Sequence, residues 1–550
     1  GSFLAPNLAQ RYSRGIQPGP WLPECDHKKE RGFMGIRFSE KVSSFLLISV
    51  IAISGLLGLG VLTSGHDWGD DFASYIMQAE SIVAGHTSDF ISANTFTISK
   101  SSENLGPVAY PWGTPVLLAP IVALFGLNVT ALKIVNWLCY VLFLLAVAGG
   151  LRNKLSSFSL VMMMALLGLD PVILDLFNGI LSDIPFLFFS TATVLLIGRV
   201  VVERKTILRN GFGQVLLGIL LAVCVSIRTA GFLLAAVAIL SEIVASAVSF
   251  RRDSRPESGT GGIADKAQSG MGGIPWKLLF FRALPYLVFL GLTGVGYLLL
   301  PGGEDGYLQS LGAISVGQIK TNVTYYMDRW QWFFSAIPFF PLVFGATLPF
   351  FLTGLIKTIG KYYPMALFGA LMMGLVIVWP ATQGVRFLLP IFPFFLFFFF
   401  LGLEEFLRAQ KGIDGKVIRA AAAACLLLAA FFFFRQSAER VLANVRNARE
   451  VSGGPFSAGS QEMFTYIRGN TAEESVILFF KPRAMRLVTG RPSIQTNDPS
   501  DIPIGNFLCL YEEEDEGFQI TDAEVQKLVD EGRIMLVFQN ADFRLYEILP

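Results

Sequence analysis

The stretch SGHDWGDDFASYIMQAESIVAG, residues 64–85, decides how this chain is read. It follows an apolar run, residues 42–63, long enough to cross a bilayer, which takes roughly 20 helical residues. The chain leaves that run and at once presents Asp67, Asp70 and Asp71. Asp67, Asp71 and Tyr75 fall four residues apart and would share one stripe of a helix. Asp70 would point about 100° away. Phe72, Ile76, Ala79 and Val83 make a second, apolar stripe. The pattern predicts a short helix lying along the membrane surface. Its carboxylates sit at an interface, where partial desolvation raises their basicity. A plainer reading is a solvated helix start, with aspartates at the favourable end of the dipole. The pattern alone leaves both open.

Composition sets the class. The chain has 550 residues, of which 53% are hydrophobic and 15% charged, too few charges for a soluble protein of this length. About eleven apolar runs are expected to span: 42–63, 129–150, 156–174, 184–202, 212–227, 230–249, 277–300, 332–356, 363–380, 387–403 and 418–434. A formal net charge of +1 gives no electrostatic case for nucleic acid. The five cysteines have neither metal-ligand spacing nor a disulfide pattern. Residues 1–33 are polar and aperiodic and read as a flexible N-terminal segment, a leader or a cleavage remnant, with Met34 as the natural start.

Basic residues give the orientation. Lys28, Lys29, Arg31, Arg37 and Lys41, then Arg152 and Lys154, then Arg204, Lys205 and Arg209 mark one side. Arg251, Arg252 and Arg255, then Lys357 and Lys361, then Lys411, Lys416 and Arg419 continue the alternation, so this side is cytoplasmic. The loop 250–276 reads as a flexible cytoplasmic linker. The outer side receives residues 64–128, Arg228, Arg386 and everything after 435. Residues 435–550 read as a small α/β domain. VILFF, IMLVF and FRLYEIL are strand candidates, and TDAEVQKLVDEG is a helix opening on a Thr521/Glu524 capping box.

Three further segments on the outer side carry candidate chemistry. AYPWGTPVLLAP (109–120), with Tyr110 and Trp112, reads as a rigid interfacial or re-entrant segment, or as an ordinary aromatic belt. NGILSDIPFLFF (178–189) sets Asp183 at the mouth of an apolar helix, either facing a cavity or capping the helix. WPATQGVRFLLPIFPF (379–394) sets Arg386 beside a helix, as a snorkelling side chain or as a fork for a lipid phosphate.

In these four motifs the sequence resembles the GT-C superfamily of integral-membrane glycosyltransferases, which includes protein O-mannosyltransferases and bacterial aminoarabinose transferase. DDFASYIMQAESIVAG, YPWGTPVLLAP, LSDIPFLFF and QGVRFLLPIFPF carry the likeness, in that order along residues 40–500. MFTYIRGNTAEESVILFF…LVTGRP is similar to the outer soluble domain of bacterial members. The resemblance implies a polytopic α-helical membrane protein with a GT-C-like transmembrane domain over 34–434, its first outer loop at 64–128. It implies an extracytoplasmic α/β domain over 435–550, in a bacterial cytoplasmic membrane. The implied activity is inverting transfer of a sugar from a polyprenyl-phosphate donor to a hydroxyl of a glycan, lipid or protein acceptor. The family's catalytic aspartate precedes an aromatic by four residues, which selects Asp71 with Tyr75; the adjacent Asp70 is the second choice. The expected substrate-binding set is Tyr75, Tyr110, Trp112, Asp183, Arg228 and Arg386. DWGDD leaves a divalent metal open. A lipid-linked glycan flippase is the alternative, but its ionisable groups belong near mid-membrane, often with repeat symmetry. Here they gather at one face and no repeat is visible.

Overall fold

The long apolar runs become helices because a backbone in hydrocarbon must satisfy its own hydrogen bonds. A computed structural model of the chain describes residues 39–203, 211–253, 276–302, 315–451, 453–513 and 517–550. The N-terminal segment 1–33, most of the linker 250–276, and Arg204, Lys205 and Arg209 lie outside the described residues. Among those described, seven helices are long and apolar enough to span: Glu40–Gly60, Val129–Leu151, Asp183–Val202, Thr229–Val248, Phe280–Leu299, Phe340–Val378 and Gly412–Arg446. Ser157–Gly168 and Pro171–Asn178, bent by 40°, make an eighth if taken as one span.

The structure shortens several of the expected runs. The runs 332–356 and 363–380 are two helices within Phe340–Val378, divided by a break where Tyr362 leaves helical geometry, two residues before Pro364. A proline removes a backbone donor and crowds the preceding turn, so a break there is expected. Phe212–Ile227 and Gly113–Phe125 are apolar helices of 16 and 13 residues. Phe392–Ala409 packs along Phe340–Val378, and phenylalanines such as Phe351 and Phe395, 4.8 Å apart, fill the seam.

The C-terminal domain carries one five-stranded sheet. Its strands are β1 (Ile477–Leu478), β2 (Ser493–Ile494), β3 (Phe507–Tyr511), β4 (Ile534–Gln539) and β5 (Phe543–Ile548), in the order β2-β1-β3-β5-β4. β1 runs parallel to β2 and β3; β5 is antiparallel to β3 and β4. The expected capping box is present: Glu524 N–H donates to Thr521 Oγ1, and Thr521 N–H to the Glu524 carboxylate.

Candidate active site

The helix announced by the opening stretch runs Asp71–Ala84 and ends on Gly85, whose φ of 73° suits a residue without Cβ. It starts later than the stripe argument requires. Residues 64–70 are not helical, so Asp67 leaves the stripe and is exposed. Nor does the helix lie with one free face outward. Phe72 through Ala79 are all buried, because the helix is wedged between Gly113–Phe125 and the C-terminal domain's helix Pro482–Thr489. Only Val83, 49% exposed, breaks the apolar stripe.

Asp71 is therefore the first helical residue, with its carboxylate in a cavity of about 900 Å³. Its Oδ1 accepts a hydrogen bond of 2.5 Å from the Tyr110 hydroxyl. Its Oδ2 accepts from Arg386 Nη2 at 3.3 Å. The same guanidinium reaches across to Asp183, with Nε 3.8 Å from Oδ1. Asp183 Oδ1 in turn accepts from Arg228 Nη1 at 2.8 Å. Two carboxylates and two guanidiniums thus form one chain, Asp71–Arg386–Asp183–Arg228, along the cavity wall.

Each member is set by its own element. Asp183 opens the helix Asp183–Ile197 and is 2% exposed; its side chain serves the arginines rather than capping the helix. Arg228 ends Phe212–Ile227 in extended geometry, and its guanidinium lies 5.0 Å from the Phe387 ring centroid. Gly113 brings the adjoining helix against that end: a Cβ there would stand 2.5 Å from the Ser226 carbonyl carbon. Arg386 lies in the short 3-10 turn Gly384–Phe387 and faces the cavity instead of snorkelling. Asp183 holds its guanidinium above the ordinary arginine value; burial opposes this and Asp71 adds to it.

Of the remaining expected residues, Tyr75 lines the cavity and Trp112 does not. Tyr75 is buried and rests on the Tyr110 ring, centroids 4.9 Å apart. The ring it rests on is the one whose hydroxyl donates to Asp71. Burial first, and the Asp71 charge second, push the Tyr110 phenol well above its usual range, so it is a hydrogen-bond donor near neutrality. Trp112 does not line the cavity; it is packed edge-on to Phe90, and its Nε1 donates to the Pro301 carbonyl at 2.9 Å.

Asp70, the residue before the helix, turns away from Asp71 toward the C-terminal domain. Its Oδ1 accepts the backbone N–H of Arg483 at 3.2 Å, and burial pushes its carboxyl up to about 6 against the opposing charges of Arg483 and Lys481. Arg483 is fully buried and clamps the loop: Nη1 donates to the Leu105 carbonyl, Nη2 to that of Pro107, and Nε to Asn94 Oδ1. Trp68, between the aspartates, enters the aromatic core of the C-terminal domain, 5.0 Å from the Phe480 ring and 5.7 Å from Tyr511. His66 locks the other end. Its Nδ1 meets the Asp67 carbonyl at 2.8 Å and its Nε2 accepts from Ile180 N–H at 3.0 Å, so the ring is the Nδ1–H tautomer. Burial lowers it to about 4. Neither Trp68, Lys481 nor Arg483 stands out in the sequence.

Among the described residues no group of three His, Cys, Asp or Glu side chains could hold a metal ion. Of the carboxylates that line the cavity, Asp71 and Asp183 are paired with arginines, whereas Asp70 Oδ2 has no hydrogen-bond partner among the described residues.

No family model and no curated protein matches the chain. Solved structures do. The structure of ArnT from Cupriavidus metallidurans in the apo state is 10% identical, with a TM-score of 0.57, over 92% of this chain and 98% of that one. The same protein bound to undecaprenyl phosphate gives 11% identity and a TM-score of 0.54 over the same shares. The archaeal oligosaccharyltransferase AglB from Archaeoglobus fulgidus, in complex with an inhibitory peptide and a dolichol-phosphate, gives 12%, 0.49, and 82% and 64%. The chain therefore shares the fold of the ArnT structures, a polytopic helical membrane domain followed by a small sheet domain.

Proposed function

We propose that this chain is an inverting glycosyltransferase. It moves a sugar from a polyprenyl-phosphate donor to an acceptor hydroxyl at the outer face of the bacterial cytoplasmic membrane. The observation that carries this reading is the chain Asp71–Arg386–Asp183–Arg228 in one cavity. It supplies a carboxylate base beside two cations, which is what transfer from a phosphate ester requires. The fold adds support, since a protein sharing it binds undecaprenyl phosphate.

In this reading Asp71 takes the proton of the acceptor hydroxyl. The acceptor oxygen attacks the anomeric carbon, and the carbon–oxygen bond to phosphate breaks with its electron pair going to the phosphate. A single displacement inverts the anomeric centre. The phosphate is already a good leaving group, so no general acid is needed. Tyr110 orients the base through its 2.5 Å hydrogen bond. Arg386 and Arg228 balance the charge that develops on the leaving phosphate. The Arg386–Asp71 contact of 3.3 Å is looser than the 2.8 Å pair at Arg228, and Arg386 Nε has no hydrogen-bond partner among the described residues. An arriving phosphate can therefore draw this guanidinium to itself and leave Asp71 free to accept a proton.

The test is a transfer assay with purified protein and a polyprenyl-phosphate sugar of known anomer. Release of polyprenyl phosphate in step with an inverted glycoside is expected. Retention of configuration would require a covalent sugar intermediate and refute the single displacement. For the orientation, introduced cysteines in the C-terminal domain should react with an impermeant reagent in cells whose outer membrane is open. Labelling only after lysis would put the site on the wrong side of the membrane.

A further inference from the structure

We propose that Lys481 is a third phosphate-binding cation of this cavity, brought to it by the C-terminal domain; the proposal rests on the lipid-phosphate donor reading above. Lys481 lines the cavity together with Asp71, Arg228 and Arg386 although it lies in a different part of the fold. Its charge reaches Asp70.

The neighbouring helix fixes its place. Lys481 is the residue before the helix Pro482–Thr489. Two residues on, Arg483 donates through its backbone to Asp70 at 3.2 Å and through its guanidinium to the carbonyls of Leu105 and Pro107 at 3.0 and 2.6 Å. That clamp holds the Lys481 backbone beside the cavity.

Its state differs from that of the two arginines. Arg228 and Arg386 are balanced, two for two, by Asp183 and Asp71. Lys481 has no carboxylate of a described residue within ion-pair distance; its Nζ lies over the Phe518 and Phe480 rings, 5.0 and 5.5 Å from their centroids. Of the two rings Phe480 is buried and Phe518 exposed, and an ammonium over an exposed ring is held weakly. It can exchange the ring for a phosphate, which lysine binds as a point charge on a flexible stem. With Asp70 and Glu103 also in its lining, the cavity holds more carboxylates than cations, so an arriving phosphate needs a cation that is not already in an ion pair, and Lys481 supplies it.

The experiment measures binding of undecaprenyl phosphate, with undecaprenol as the phosphate-free control, to the full chain in nanodiscs. Lys481→Gln should bind the phosphate about tenfold more weakly, the scale of one charged hydrogen bond, with undecaprenol unchanged. Lys481→Arg should recover most of the loss. Unchanged phosphate affinity in Lys481→Gln overturns the proposal, as does a loss shared with undecaprenol or one that arginine does not recover. If Arg386→Ala weakens binding while Lys481→Gln does not, the donor reading stands and Lys481 alone falls. A wild-type chain that prefers undecaprenol or binds both alike sinks the donor reading and this proposal together.

Discussion

The site has two walls, and they are built on different principles. One lines the cavity and carries paired charges: Asp71, Arg386, Asp183 and Arg228 form a chain of ion pairs. The other stands behind the cavity lining, where the C-terminal domain supplies anchors: Trp68 is sunk among Phe480, Tyr511 and Phe543, and Arg483 is clamped on backbone carbonyls. The first wall offers groups whose partners can be exchanged for substrate. The second offers contacts that must not change. The loop holding Asp70 and Asp71 lies between them, so the position of the chemistry depends on a domain that supplies little of it. A cavity between apolar helices can thus be held in register by a separate domain through one aromatic plug and one buried arginine.

Removing the plug should give the largest effect on stability. Trp68→Ala empties an aromatic cluster, a change that typically costs about 3–5 kcal/mol. Thermal unfolding of the purified protein should show a clear drop, and turnover should fall with it because the loop is released. An unchanged melting temperature would mean that the anchoring wall holds nothing, and the comparison would break.

A smaller effect belongs to the charged wall. Arg386→Lys keeps the charge but loses the planar fork that spans Asp71 and Asp183. Affinity for undecaprenyl phosphate should fall about tenfold, near 1.4 kcal/mol, with the melting temperature nearly unchanged. Loss of stability without loss of affinity would move Arg386 from the chemical wall to the anchoring one.

The smallest effect is a pair of opposed pH slopes in the loop itself. Asp70 is raised from 3.8 to about 6 by burial, so the folded state holds its proton more tightly. Its stabilising share is complete below pH 3.8 and is lost as pH rises through about 6. His66 is lowered from 6.5 to about 4, so its share is complete above 6.5 and is lost as pH falls through about 4. Between those limits the slopes oppose. Asp70→Asn removes one of them, and its melting temperature should then rise with pH more steeply than that of the wild type. Parallel curves for the two proteins would mean that Asp70 is not buried as described.

Much of the charged wall was legible in the sequence, for a physical reason. A charged residue at the end of an apolar run is costly and therefore conspicuous, and Asp183, Arg228 and Arg386 each stand in that position. Asp71 was marked by its register with Tyr75; the hydroxyl that donates to it belongs to Tyr110, on whose ring Tyr75 rests. The anchoring wall was not legible. Asp70 and the Arg483 backbone meet across 413 residues, and nothing local marks either as half of a contact. Trp112 looked like a site residue because aromatics at an interface do, but its indole N–H is taken by Pro301. In the C-terminal domain the apolar runs at β4 and β5 and the capping box could be read directly. β2, with only two residues, is too short to carry an alternating pattern. The helix Asp71–Ala84 started later than expected because residues 64–70 are held by His66 and by the C-terminal domain instead of by a helical turn.

The central claim is that Asp71 is the base and that the phosphate is held elsewhere. The most direct measurement takes Asp71→Asn and Asp70→Asn, both purified and folded, and records sugar transfer and undecaprenyl phosphate binding on the same samples. Asparagine keeps the shape of Asp71 and can still accept from Tyr110, but it cannot take the proton. Losing a general base worth 10²–10⁴ should slow turnover of Asp71→Asn by about that factor, about 3–5 kcal/mol of barrier, with donor binding retained. Asp70→Asn should lose far less, because its carboxylate faces the Arg483 backbone. Near-normal turnover in Asp71→Asn, with or without a loss in Asp70→Asn, would contradict the account.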